Sequence, residues 1–208
     1  MTGIILSGGK SIRMGGENKA FLSINGEFVI DRVLKIFKEL FDETIIVTNS
    51  PLDYLDYDVR IVTDIIKGKA ALGGIYTGLF YASSEHCFVS ACDMPFLDKR
   101  FIEYMISSIK GYDIIVPHAS DGLQPLHSIY SKKCIPLMKK LIDRDDLKIR
   151  ILYKKMNTLT LPTDTIRSFD QNERMFLNIN SHEDFKRILT MSNKDSIVSR
   201  NKKTHTET

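Results

Sequence analysis

A short apolar run, Ile4-Ile5-Leu6, leads into a stretch that constrains the whole chain. From Leu6 to Lys19, fourteen residues hold four glycines and three cations. The apolar run reads as a buried parallel strand, and the stretch behind it as a loop at that strand's carboxyl end. Glycines let backbone N–H groups approach phosphate oxygens, and Lys10, Arg13 and Lys19 supply neutralising charge. Such a loop suits a polyphosphate.

The pattern beyond it alternates strand and helix. Asn25-Gly26 is a turn signal. Apolar residues at 29, 30, 33, 34, 36, 37, 40 and 41 have helical spacing with a wide buried stripe. Strands are expected over 43–48, 58–63, 87–91 and 112–117. A glycine-bearing stretch, Gly68 to Gly78, leads into a helix ending near Tyr81, and another helix is expected over 99–109. His118 to Gln124 reads as a polar loop, and Leu126 to Tyr130 as a strand, with an antiparallel direction open to it. Helices follow over 134–142 and 147–153, then short strands over 159–161 and 166–169. Ser181, with Asp184 three residues on, forms a capping box for a last helix reaching Thr190. The alternation predicts an α/β fold: an open, mostly parallel sheet with helices on both faces. Ligands in such sheets sit beyond the carboxyl ends of the strands, where the glycine-rich loop, Thr48-Asn49, Asp64 and Asp93 all fall.

The 208 residues suit one domain over 1–191. Residues 192–208 read as a disordered basic tail. No apolar run approaches the roughly 20 residues that span a bilayer, and the N-terminus lacks a signal-peptide pattern, so a cytoplasmic location is expected. A net charge of +3 is too small to argue for nucleic acid, and the tail lacks interleaved aromatics. Cys87, Cys92 and Cys134 show no C-x-x-C spacing and read as buried reduced thiols.

Two familiar phosphate loops fail on register. A Walker A loop ending at Gly9-Lys10-Ser11 requires glycine where Ile4 stands. A dinucleotide G-x-G-x-x-G is absent. What remains is an extended loop with Gly8-Gly9, Arg13, Gly15-Gly16 and Lys19. It resembles the nucleotidyltransferase signature L-x-G-G-x-S-x-R-M-G-x-x-K, allowing a small length variation. Three further segments are similar to the MobA-like molybdenum cofactor guanylyltransferase family. Ala71-Leu72-Gly73-Gly74-Ile75-Tyr76-Thr77-Gly78-Leu79 resembles its G-P-L-x-G-I-x-x-G-L. Ala91-Cys92-Asp93-Met94-Pro95-Phe96 resembles its C-D-x-P-F/Y. Phe176-Leu177-Asn178-Ile179-Asn180-Ser181 with Glu183-Asp184 resembles its F-x-N-x-N-T-P-E-D/E. The chain departs from the family at four positions: Ala70 and Ala71 replace Gly-Pro, Asn18 replaces an acidic residue, and His182 replaces proline.

The resemblance implies a three-layer, Rossmann-like nucleotidyltransferase fold. It implies transfer of GMP from GTP to molybdopterin or Mo-molybdopterin, with release of pyrophosphate and Mg²⁺ as cofactor. It also implies cofactor-synthesis or molybdoenzyme-maturation proteins as partners, without membrane or nucleic acid. Leu6, Ser7 and Gly8 match the nucleotide-contacting run; a plain strand-to-loop turn is the competing reading. Arg13 and Lys19 match the phosphate-binding cations. Asp93 matches the metal carboxylate and Asp64 a nucleotide contact. Thr48 or Asn49 falls near a further contact, with one residue of slack. Asn178 and Asn180 match a pair on the acceptor side; a structural role before the helix cap competes for the pair, and Gln124-Pro125-Leu126 matches the loop where the family shapes its acceptor pocket. His127 reads as a packing residue rather than a base. The alternatives are a relative using CTP on the same cofactor, an enzyme transferring a nucleotide to a sugar or small alcohol phosphate, and a nucleotide-binding regulatory protein without catalysis.

Overall fold

The computed structural model of the chain describes residues 1–8 and 18–204, with the side chains of the last helix described as far as residue 193. β1 (Thr2–Ser7) is followed by a hairpin of β2 (Ser23–Ile24) and β3 (Glu27–Phe28), then α1 (Val29–Leu40), β4 (Glu43–Thr48) and β5 (Arg60–Val62). α2 (Ala70–Tyr81), β6 (His86–Ala91), α3 (Lys99–Ser107) and β7 (Ile114–Ala119) come next. The chain closes with β8 (Gly122–Leu123), β9 (His127–Ser131), α4 (Ile135–Asp143), α5 (Arg150–Lys155), β10 (Thr158–Leu161), α6 (Thr163–Phe169) and α7 (His182–Thr204). The main sheet runs in the order β10-β7-β9-β6-β1-β4-β5, with β8 paired to β7. β9 is antiparallel to both its neighbours, while β6, β1, β4 and β5 are mutually parallel. The expected sheet with helices on both faces is present, and its antiparallel members are β9 and the short β8.

β1 is buried along its full length, because the sheet is covered on both faces and successive side chains point to opposite sides. Ile5 joins a core with Phe37 of α1, Phe101 of α3 and Ile166 of α6. Ile4 and Leu6 join another with Leu72 and Ile75 of α2, Met138 of α4 and Leu152 of α5. Both helical layers approach β1 closely. A Cβ at Gly3 would stand 2.5 Å from the rings of Phe37 and Phe41, and one at Gly78 would stand 2.6 Å from Ile4 Cγ2. Gly73, Gly74 and Gly78 lie inside α2; Gly74 and Gly78 serve helix-to-sheet contact, against Leu6 and Ile4, while Gly73 faces Lys69 and the Ile66 carbonyl. Of the 68–78 glycines only Gly68, at φ 76°, turns the backbone left-handed.

Ala70 is left-handed too, at φ 48°, and it is exposed. It occupies the position where the resemblance leads one to expect glycine. A left-handed L-residue costs about 1–2 kcal/mol. Ala70→Gly relieves that strain and gives back part of it as unfolded-chain entropy. A net gain of about 0.5–1 kcal/mol is expected, read as a higher urea midpoint at unchanged slope.

Four expectations are corrected. Residues 166–169 are not a strand but the end of α6, which starts behind Pro162 with Asp164 in its first turn. The spacing of Ile166 and Phe169 puts both on one helical face, and the Phe169 ring meets Phe101 at 5.5 Å. The polar stretch 118–124 folds back as the β7–β8 hairpin. The 147–153 helix starts later, at Arg150. The last helix runs past Thr190. Its start is as expected: Ser181 Oγ accepts from Asp184 N at 3.1 Å, and Asp184 Oδ2 accepts from Asn180 N at 3.1 Å. Near its start α7 contributes Ile188 to a small third core with Ile24, Val29 and Ile179, beside the β2–β3 hairpin. Asn25 and Gly26 of that hairpin both have positive φ, the geometry of a type I′ turn. No described helix is long and apolar enough to cross a membrane.

Candidate functional site

Four adjacent parallel strands end along one edge of the sheet, and the polar residues that follow them form the site. β6 leads to Asp93, β1 to Ser7 and Gly8, β4 to Thr48 and Asn49, and β5 to Asp64. The strand ends are locked together by backbone bonds, among them Cys92 N to Leu6 O at 3.0 Å.

At the β6 end, Lys19 Nζ lies 3.3 Å from Asp93 Oδ2 and 3.0 Å from Asn180 Oδ1. Side-chain exposure is 18% for Lys19 and 14% for Asp93, so the pair is well shielded from water. Burial pushes the Asp93 carboxyl above its ordinary value, and the nearby Lys19 ammonium only partly opposes that. Asp93 also carries the segment that brings in Asn180, because its backbone carbonyl accepts from Ile179 N at 3.1 Å. Lys19 sits on a 3-10 turn, Lys19–Phe21, capped by Asn18, whose Oδ1 accepts from Ala20 N at 3.2 Å. Asn18 thus keeps a capping oxygen where an acidic residue was expected.

At the β4 and β5 ends, Asn49 Nδ2 donates to Asp64 Oδ2 at 2.7 Å. A side chain at Gly8 would just touch the same amide, at 4.0 Å. Thr48 and Asn49 differ in burial. Thr48 is 1% exposed, and its hydroxyl accepts from Ser50 N; Asn49 is exposed beside Asp64.

Leu6 points into the α2-side core rather than the edge, so at that position only its backbone is offered to a ligand. Ser7 ends β1 with its hydroxyl hydrogen-bonded to Tyr54. Asn178 does not join the Lys19 cluster, and its Oδ1 is buried with no partner among the described residues. Gln124 is spent locally, donating to Asp121 Oδ1 at 2.6 Å and to Gly122 O at 3.3 Å. Arg13, with the rest of residues 9–17, lies outside the described residues. A cavity of about 360 Å³ opens two residues beyond Asp93, lined by Pro95, Phe96, Arg100, Phe169 and Arg174 among others.

His127 is fully buried, with the rings of Phe88, Phe101 and Phe176 5.0–5.8 Å away. Neither ring nitrogen has a partner among the described residues, and burial pushes its pKa down to about 3. It is a neutral packing residue, as its strand position suggested. An unfolded histidine titrates near 6.5. Between pH 6.5 and 3 the unfolded chain therefore binds a proton here that the folded chain refuses. Stability falls on acidification by up to about 1.4 kcal/mol per pH unit from this residue. His127→Leu is expected to remove that component of the pH slope. It should also raise stability at pH 7 by about 1–3 kcal/mol, because two unpartnered polar atoms leave the core. Urea titrations at pH 5 and 7 measure both.

The residues present fit a hard divalent ion in one way. Among the described residues no group of three or more His, Cys, Asp or Glu side chains surrounds a metal position. Among the described residues Asp93 offers an anionic oxygen beside the Lys19 ammonium. That donor set suits Mg²⁺ carried in by a triphosphate, which keeps waters and needs only one or two carboxylates; it is not a resident cage. The three cysteines are buried and free, and burial pushes each thiol up to about 12. None is a ligand or nucleophile in this state.

Comparison with known proteins agrees with the geometry. Residues 3–159 match the model of the MobA-like NTP transferase domain. A molybdenum cofactor guanylyltransferase of Desulfosudis oleivorans is 37% identical over 188 residues, 90% of this chain and 93% of that one. A protein of Pelotomaculum thermopropionicum named probable molybdenum cofactor guanylyltransferase is 36% identical, over 92% and 93% of the two chains. The crystal structure of molybdopterin-guanine dinucleotide biosynthesis protein A from Archaeoglobus fulgidus superposes with a TM-score of 0.81 at 26% identity, covering 93% of this chain and all of that one.

Proposed function

The chain belongs to the MobA-like NTP transferase family, and we propose that it transfers GMP from GTP to the phosphate of molybdopterin or Mo-molybdopterin. An oxygen of the acceptor phosphate forms a bond to the α-phosphorus. The bond from that phosphorus to the β-bridging oxygen breaks, and pyrophosphate leaves with the electron pair. The nucleophile is already ionised at pH 7, so no strong base is needed. Rate acceleration then comes from positioning and charge neutralisation.

The observation that carries this reading is the meeting of Lys19, Asp93 and Asn180 at the end of β6, beside Ser7 and Gly8 at the end of β1. Lys19 neutralises phosphate charge, and Arg13 adds to it. Asp93 would hold Mg²⁺, which would supply further neutralisation at the phosphates when bound. Leu6, Ser7 and Gly8 offer backbone groups to the nucleoside, next to Asn49 and Asp64. Asn180 faces the acceptor side. The orphaned Oδ1 of Asn178 is an acceptor that a ligand N–H or O–H would satisfy.

The test is pyrophosphate release with molybdopterin, Mg²⁺ and each nucleoside triphosphate in turn. Release with GTP that requires the pterin is expected. Release with CTP only would replace the guanylyl assignment with a cytidylyl one. Tight GTP binding without release would leave a nucleotide-binding protein.

A further inference from the structure

Tyr54 belongs to none of the sequence motifs. It ends a short 3-10 helix, Pro51–Tyr54, behind the Asn49-Ser50 turn. Its side chain is completely buried, with the ring 5.2 Å from Phe21 and 6.2 Å from Tyr57. Its hydroxyl meets two polar side chains. One is Ser7 Oγ, at the end of β1. The other is the Asn18 carboxamide, whose Nδ2 donates to the phenol oxygen at 3.2 Å and to Asp53 Oδ2 at 3.0 Å. The phenol also lies 3.4 Å from Asn18 Oδ1, to which it can donate, and in its pair with Ser7 either hydroxyl can be the donor. One buried hydroxyl therefore joins residues eleven apart in sequence: the end of the strand offering Ser7 and Gly8, and the cap of the turn carrying Lys19.

We propose that Tyr54 is a positioning residue for nucleotide transfer, setting the distance between the backbone donors after β1 and the ammonium of Lys19. Its hydroxyl touches neither substrate; it acts through Ser7 and Asn18. Both groups must engage one nucleotide at once, so slack between them costs affinity for the nucleotide and not for the acceptor. This rests on the nucleotide reading of the site.

The test compares Tyr54→Phe with wild type and with Tyr57→Phe. Tyr57 packs on the same Phe21 ring, at 6.4 Å, and its hydroxyl donates to Asp31 at 3.0 Å. Tyr57→Phe therefore removes a comparable hydrogen bond outside the tether. Tyr54→Phe is expected to raise the GTP KM, and the Kd of a non-hydrolysable GTP analogue, by about fivefold to tenfold. The molybdopterin KM should stay within twofold, and Tyr57→Phe should leave all three unchanged. Asn18→Ala should give a similar loss, and the double variant should be no worse than either single one. An unchanged GTP KM and Kd in Tyr54→Phe would overturn the proposal. So would an equal rise for both substrates, or additive losses in the double variant. A wild-type protein that takes no nucleotide would overturn the nucleotide reading and this proposal together, whereas a wild type active on nucleotide with an indifferent Tyr54→Phe would overturn only the latter.

Discussion

Asp93→Asn is expected to reduce Mg²⁺-dependent pyrophosphate release by about a thousandfold or more, while leaving a protein at least as stable as wild type at pH 7. The two effects share one cause. Asp93 is well shielded, 3.3 Å from Lys19, and burial raises its pKa above the ordinary carboxylate value. In the window between that ordinary value and the raised one, the folded chain holds a proton that the unfolded chain has lost. Stability therefore falls as pH rises through the window, and at neutral pH the ionised carboxylate is a net cost to the fold. Asparagine keeps the shape and removes the charge. The backbone carbonyl that holds Ile179 is untouched. Turnover and thermal melting at pH 7 measure the pair of outcomes. Undiminished turnover would remove Asp93 from the reaction, and a marked loss of melting temperature would contradict the sign of the linkage.

Lys19→Met should also cost about a thousandfold in kcat/KM, because the ammonium is the described cation placed where phosphate charge must be neutralised. Its stability effect should run the other way. Removing Lys19 leaves Asp93 shielded without its cation and Asn180 Oδ1 without its donor. A loss of about 1–2 kcal/mol at pH 7 is expected, below the cost for a fully buried pair because both groups keep some water contact. The loss should shrink as the pH falls and Asp93 takes up a proton. Opposite stability signs with equal loss of turnover distinguish charge chemistry from damage to the fold. Equal destabilisation in Asp93→Asn and Lys19→Met would mean that the pair is structural.

Much of the fold was legible because its signals are local. β1, α1 and β4 announce themselves by apolar spacing, and the Ser181–Asp184 box marks the start of α7. The misread segments were short or ambiguous. Ile166 and Phe169 fit either a strand or a single helical face, and it took Phe101 of α3 to select the helix. Glycines inside a helix weaken it, and Gly74 and Gly78 stand in α2 because they let it approach Leu6 and Ile4, a requirement set by the opposing strand.

By itself, the sequence determined that a glycine-rich, cationic stretch follows a buried strand, that register excludes two familiar phosphate motifs, and that Asp64 and Asp93 stand at strand ends. Composition and spacing along the chain suffice for those statements. Only the tertiary structure decided which of these residues meet. Asn180 reaches Lys19 across 161 residues, and Tyr54 reaches Ser7 across 47. Burial decided that Thr48 serves its own turn while Asn49 faces Asp64, and that His127 sits neutral among three aromatic rings. Such pairings follow from strand order and helix packing, which bring distant segments together, and no local pattern encodes them. The opening loop names the chemistry; the packing of β6, β1 and β4, with the Tyr54 turn behind them, sets the positions from which that chemistry is done.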